Sequence, residues 1–279
     1  MARSYLFIPG DVPRMLQNMD VFDADAVIVD FEDAVADLTK DEARDLTRTF
    51  IAKHHHNLPA LFIRINAVDD DAFIHDIDSL ADLNLRGVVL PKADVNALKT
   101  YRKTFDKKAA KPLPVIALIE TPRACFDALT IADDPLVVGL MLGGEDLTSA
   151  LGAERSAQRK EIATARGLVV LAAAAAHIDS IDTPYPIVDE EAGLHEDIAA
   201  AVAYGFRAKA CIHPNHVDAI NRAFTPSEAA IDEAQRIVAM HEKTGSTRFS
   251  LDGKMVDKPI IERAQNVLKK AANNGRDAT

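Results

Sequence analysis

Two stretches, VIALIE at residues 115–120 and VVGLMLGGED at residues 137–146, each lead an apolar run into acid: Glu120 closes the first, Glu145 and Asp146 the second. An acid that merely decorated a surface would need no such approach. A strand buried on both faces, by contrast, delivers its last side chain to one rim of a parallel barrel, where the catalytic groups of that architecture collect. Side by side on that rim, Glu120 and Asp146 can hold a hard divalent cation such as Mg²⁺, with waters and substrate oxygens completing an octahedron. The competing reading is that one of them caps a helix. Glu145, adjacent on the same run, is expected to point to the opposite side.

Working outward, similar runs recur along the chain: SYLFIP, AVIVDF, LFIRIN, GVVLPK, HIDSIDT and FRAKACIH join VIALIE and GLMLGGED to make eight. They alternate with amphipathic segments long enough for crossover helices, which predicts a parallel sheet. A doubly wound open sheet would carry a glycine-rich phosphate turn after its first strand, and FIPGDVPR is not one. The expected fold is therefore an α/β (β/α)₈ TIM barrel over residues 1–224. Asp11 with Pro13, a capping box of Thr39 and Glu42, and Thr121 before Pro122 mark helix starts, and the alanine-rich stretch from Arg155 to Ala176 reads as the clearest helix. Residues 225–279 read as a C-terminal helical extension and lid. Two helix-like runs there flank the loop GSTRFSLDGKMVDKP, whose Phe249, Leu251 and Met255 suit a segment that folds over a site, including that of a neighbouring subunit. Disorder is expected from Asn273.

With 279 residues, 48% of them hydrophobic, the chain can bury a sizeable core, which excludes general disorder. Its net charge of −11 opposes broad binding to nucleic acid or to an anionic membrane. No run reaches the ~18 apolar residues of a membrane span, and MARSYLFIPGD turns polar too early for a secretory signal, so a cytoplasmic location is expected. Cys125 and Cys211 lack metal-ligand spacing and read as small core residues rather than a disulfide or a zinc site.

Arg64 stands near the end of an otherwise apolar run, where burial without an anionic partner would be costly. That partner is either a ligand carboxylate gripped bidentately or Glu32 or Asp33 from the neighbouring strand. Asp30 and Glu32 fall on one face of IVDFEDAV and Asp33 on the other; they can orient Arg64 or a metal-bound water, or serve as caps. Lys92 ends the fourth run, where an ion pair is favoured over a Schiff base because two metal-binding acids would make an imine redundant. His54, His55 and His56 cannot converge on one ion from a helix and instead suit its C-terminal end. His213 reads as a rim or loop-packing residue, and Arg102, Lys103, Lys107 and Lys108 read as a solvated helix face.

Taken in order, RSYLFIPG, AVIVDFEDAV, FIRIN, VVLPKA, IALIET, GGEDL, IDTPY, GFRAKACIHP and DGKMVDKP resemble the HpcH/HpaI aldolase superfamily, and within it the citrate lyase β-subunit-like branch of CoA-ester lyases. The likeness runs from about Arg3 to about Ala272. It implies a (β/α)₈ barrel, usually a homotrimer, that binds Mg²⁺ and cleaves or forms 3-hydroxyacyl-CoA thioesters. Glu120 and Asp146 resemble its metal ligands, Arg64 its substrate-binding arginine, and Asp257 the acid supplied by a neighbouring subunit's C-terminal segment. Ala208 in place of a usual glycine, His216 in place of a glutamine and Asn18 in place of a lysine depart from the pattern around the CoA contacts.

The function expected is that of a carbon–carbon lyase acting on malyl-, citramalyl- or citryl-CoA to give a 2-oxo acid and acetyl-CoA. Arg64, Asp257 and Glu32 are expected to be catalytic, Arg64, Glu145 and Asp146 to bind substrate, and Glu120 and Asp146 to bind metal. The alternatives are a CoA-independent, metal-dependent aldolase using pyruvate enolate, or a partner-dependent citrate lyase β-like subunit.

Overall fold

The run Val115–Ile119 carries no polar side chain on either face and is buried along its whole length, which requires a neighbouring strand on each edge and cover on both sides. The computed structural model describes residues 2–54, 58–156 and 159–274 and supplies both. Its elements run β1 (Ser4–Pro9), α1 (Pro13–Gln17), β2 (Ala26–Asp30), α2 (Lys40–Lys53), β3 (Ala60–Arg64), α3 (Ala72–Ser79), β4 (Gly87–Leu90), α4 (Val95–Lys107), β5 (Val115–Ile119), α5 (Pro122–Ala132), β6 (Val137–Leu142), α6 (Gly144–Ala150), α7 (Ala163–Ala175), β7 (Asp179–Asp182), α8 (Glu191–Tyr204), β8 (Ala208–Cys211) and α9 (Val217–Phe224). The strands close in the order β1 to β8 and back to β1, with every pairing parallel, so the (β/α)₈ barrel expected from the alternation is present. Alternate residues of successive strands, among them Ile28, Phe62, Val89, Leu118, Met141 and Ile181, fill the interior, as a period of two requires.

Three local expectations are corrected. β6 stops at Leu142, because Gly143 and Gly144 release the chain from the strand; Glu145 and Asp146 lie in the first turn of α6, where the helix dipole favours acids. The alanine-rich helix begins only at Ala163, after a 3₁₀ turn at Lys160–Ile162 and a left-handed Arg159 at φ 53°. Arg155, paired with Glu145 and Glu161, and Arg159, paired with Asp197, stand outside the helix despite the propensity of the alanines that follow. Thr39 and Asp11 do not cap helices through their side chains: the Thr39 hydroxyl donates to Asp11 at 2.9 Å instead. Thr121 does cap α5, accepting from the Ala124 N–H at 3.1 Å.

The barrel forms one compact unit, Ala2–Asn221, and the chain from Arg222 onward forms a second. In the second, α10 (Glu228–Thr244) is capped by Ser227 and ends at the left-handed Gly245. The segment read as a loop is a hairpin: β9 (Phe249–Leu251) pairs antiparallel with β10 (Lys254–Val256) around Asp252 and Gly253, both at positive φ, which suits a two-residue hairpin turn. Then α11 (Lys258–Asn274) follows, and Ala234, Ile237, Val256, Ile261 and Ala264 make this unit's own core. Residues 275–279, part of the segment expected to be disordered, lie outside the described residues. No helix among the described residues is long and apolar enough to cross a membrane.

Candidate active site

Glu120 follows the last residue of β5 with the same parity as Ile116 and Leu118, so it faces the barrel interior; it is 2% exposed. Its Oε1 accepts the Lys92 N–H at 2.6 Å. Lys92 sits in the left-handed region at φ 46° in the turn that leaves β4. On the other side Gly143 makes room: a Cβ there would lie 2.5 Å from the Glu120 Cβ and 2.7 Å from its Oε2. Burial pushes the Glu120 carboxyl up to about 8; the charges of Glu32 and Asp146 add to the rise, against the Lys92 N–H bond and the Arg64 charge.

Arg64 is positioned by strand register, because β2 and β3 pair Asp30 directly with Arg64. Asp30 takes the guanidinium bidentately, Nε to Oδ1 at 2.7 Å and NH2 to Oδ2 at 2.5 Å. The guanidinium carbon stands 5.2 Å from the centre of the Phe7 ring, and NH1 lies 2.8 Å from Glu32 and 3.4 Å from Asp33. Of the partners expected from sequence, Glu32 and Asp33 are thus both near, yet the principal one is Asp30, which also accepts the N–H groups of Glu32 and Ala34. Although burial opposes the charge on Arg64, the Asp30 hydrogen bonds and the three acids outweigh it and hold the guanidinium above its ordinary pKa. Burial pushes Glu32 up to about 7, with Asp33 and Asp30 adding to the rise and Arg64 and Lys92 opposing it.

These groups surround a cavity of about 390 Å³ at the C-terminal ends of the strands, where TIM barrels place their chemistry. Asp30, Asp33, Arg64, Glu120, Glu145 and Asp146 line it, together with an apolar wall that includes Phe7, Leu118, Met141 and Ile212. Five carboxylates face one guanidinium. An acid driven above neutrality by burial, with neighbouring acids adding to the rise, is relieved when a cation binds, so the donor set fits a hard divalent ion. Among the described residues no three of His, Cys, Asp and Glu form a metal cluster, so such an ion would rest on two carboxylates, with water and ligand oxygens for the remainder. Glu145 is drawn aside by Arg155, whose Nε lies 2.8 Å away.

Within the barrel, the remaining candidates do not gather at this cavity. The Lys92 side chain is exposed and lacks the burial that imine chemistry demands. His54 ends α2 and stacks on Phe50, with ring centres 4.3 Å apart, while His55 and His56 lie outside the described residues. His213 packs its loop by accepting the Asn215 N–H. Arg102, on α4, pairs with Asp134, and Lys108, just past the helix end, pairs with Asp78. Both cysteines are free and buried, and burial pushes Cys211 up to about 12. Asp257 belongs to the second unit, where it is exposed and its Oδ1 accepts the Ile260 N–H at 3.4 Å at the start of α11.

Sequence reasoning missed Thr183, whose Oγ1 accepts the Gly144 N–H at 3.0 Å at the start of the helix that carries Asp146. It also gave Gly143 no part. The GG step before ED was the available signal, since paired glycines at a strand end mark either a turn or a close approach.

The family described as HpcH/HpaI aldolase/citrate lyase matches residues 3–214, and a second, C-C bond lyase of the TIM-barrel fold, matches residues 160–275. The chain is similar to the citrate lyase subunit beta of Leuconostoc mesenteroides subsp. cremoris, 30% identical over 98% of this chain and 94% of that one. It is similar to the (3S)-malyl-CoA thioesterase of Cereibacter sphaeroides, 31% identical over 96% and 94%. Among solved structures it resembles the CitE protein of Mycobacterium tuberculosis in complex with magnesium, acetoacetate and coenzyme A, with a TM-score of 0.81 and 31% identity over 97% of this chain and 98% of that one.

Proposed function

The chain belongs to the HpcH/HpaI aldolase/citrate lyase family, and from that membership we propose a Mg²⁺-dependent carbon–carbon lyase that cleaves or forms a 3-hydroxyacyl-CoA thioester such as malyl-, citramalyl- or citryl-CoA. The products of cleavage are a 2-oxo acid and acetyl-CoA. The observation that carries this reading is the single cavity in which Glu120 and Asp146 stand with Arg64 at the C-terminal end of a closed barrel. Magnesium and coenzyme A bound to the similar CitE protein support both partners.

Glu120 and Asp146 would hold the metal. Once bound, Mg²⁺ supplies Lewis-acid polarisation of the substrate's carboxylate and adjacent hydroxyl. The bond broken joins the hydroxyl-bearing carbon to the carbon next to the thioester, and its electron pair leaves as the acetyl-CoA enolate. Arg64, fixed by Asp30 and Phe7, offers a preorganised positive charge to that enolate. Glu32, with a carboxyl pushed up to about 7, is matched to accept the hydroxyl proton near neutral pH. Asp257 is assigned the proton transfer at the methyl carbon, contributed by a neighbouring subunit of a homotrimer.

The test is to incubate the purified protein, with and without Mg²⁺, with malyl-, citramalyl- and citryl-CoA and to follow 2-oxo acid release. Metal-dependent release from at least one ester is expected; none from any, with metal present, sinks the reading. The naming of one relative as a subunit favours a second reading in which a partner chain is required. Turnover of free CoA esters by the purified chain alone excludes it.

A further inference from the structure

Behind the cavity lies a buried charge cluster that the reaction does not use. Lys209 is fully buried, and its Nζ donates to Asp182 at 2.7 Å, to Asp197 at 2.7 Å and to the Thr183 carbonyl at 2.6 Å. Arg166 holds Asp182 bidentately, at 2.9 and 2.8 Å, and reaches Asp197 at 2.6 Å. Asp182 and Lys209 are out of phase with the interior residues Ile181, Ala208 and Ala210, so the cluster lies between the barrel wall and helices α7 and α8. Burying so many charges is costly, and a well-packed apolar substitute is often as stable, so stability alone is a weak account of it.

The cluster reaches the cavity through Thr183, which lines it. The cluster grips the Thr183 carbonyl from outside, while the Thr183 hydroxyl accepts the Gly144 N–H from inside at 3.0 Å. Fit is close on that side, since a Cβ at Gly144 would lie 2.8 Å from the Thr183 Oγ1. Gly144 is the first residue of α6, its carbonyl accepts from Thr148 at 2.7 Å, and Asp146 stands two residues on. We propose that Thr183 is a positioning residue for metal binding: held by Lys209, it fixes the start of α6 and thereby the carboxylate of Asp146.

This inference rests on the reading of Asp146 as a metal ligand, and the experiment separates the two. Mg²⁺ affinity is measured by calorimetry on the substrate-free protein for wild type, Thr183→Val, Thr183→Ala, Thr183→Ser and Asp146→Asn, with Tm recorded for each. Val keeps the shape of Thr but cannot accept the Gly144 N–H; Ser keeps the acceptor. The expected result is Mg²⁺ affinity weakened about tenfold by Val, the scale typical of groups that orient metal ligands. Ser should stay within about twofold of wild type, and Tm should remain within a few degrees throughout. If Val fails to fold, Ala is read in its place. Wild-type affinity in Thr183→Val, or equal losses in Val and Ser, overturns the positioning role while leaving the metal reading intact. Wild-type affinity in Asp146→Asn overturns both.

Discussion

Arg64 and Asp30 face each other across the β2–β3 ladder and form two nearly parallel hydrogen bonds, at 2.7 and 2.5 Å, so the guanidinium plane is fixed before any ligand arrives. Lysine has no fork to fill both carboxylate oxygens and would place its charge elsewhere. Arg64→Lys is therefore expected to lower kcat about 100-fold, the scale for losing one aimed donor to a developing anion. Tm should change little, and steady-state kinetics with the best CoA ester checks this. Unchanged kcat would show that the charge of Arg64 matters only diffusely.

Glu120 gives a pH signature. In the folded, metal-free protein its carboxyl is pushed from the ordinary 4.5 up to about 8, chiefly by burial, whereas in the unfolded chain it returns to the ordinary value. Between those two values the folded state binds the extra proton, so stability falls as pH rises through the window and levels off above about 8. Mg²⁺ must displace that proton, so its affinity and its stabilising effect are expected to grow over the same window. Glu120→Gln removes the titrating group. The difference between wild-type and variant Tm, scanned from pH 5 to pH 8 with and without Mg²⁺, should show this slope; a pH-independent difference would refute it.

Much of this site is legible in the sequence, and the part that is not has a physical cause. Apolar runs that end in acid located Glu120 on the correct rim, because strand parity and a closed parallel sheet leave little freedom. The same logic fails just past Leu142: a local pattern does not reveal that two glycines convert strand into helix, so Glu145 and Asp146 arrive at the cavity on α6. Arg155 and Arg159 misled in the same way, since their pairing with Glu145 and Asp197 depends on contacts that are remote in sequence or made after the chain turns. Lys209 was visible as a lysine in an apolar run, yet its two aspartates come from β7 and α8 and could be matched only in space.

That lysine supports a stability prediction. Lys209→Met fills similar volume but leaves Asp182 and Asp197, both fully buried, with Arg166 and Arg159 as remaining cations and the Thr183 carbonyl without its donor. Removing one partner of a buried ionic group typically costs about 3–5 kcal/mol. Urea unfolding should report a loss in that range. A change below about 1 kcal/mol, the scale of an exposed pair, would mean that the cluster relaxes around the gap.

Gly143 tests how finely Glu120 is placed. Its φ of −92° is open to any residue, so Gly143→Ala carries no backbone penalty from a left-handed turn, and the added Cβ acts only through space. Built on this backbone it would fall 2.5 Å from the Glu120 Cβ, a contact that must be relieved by moving either the acid or the start of α6. Either movement separates Glu120 from Asp146 or from the Lys92 N–H that it accepts at 2.6 Å. A misplacement near 1 Å commonly costs about 100-fold in rate. The expected outcome is a loss of that order in kcat/KM, accompanied by weaker Mg²⁺ binding in calorimetry and a folded, cooperative melting transition. Wild-type turnover with wild-type Mg²⁺ affinity would show that Glu120 tolerates displacement, and that the close approach of Gly143 serves packing rather than the site.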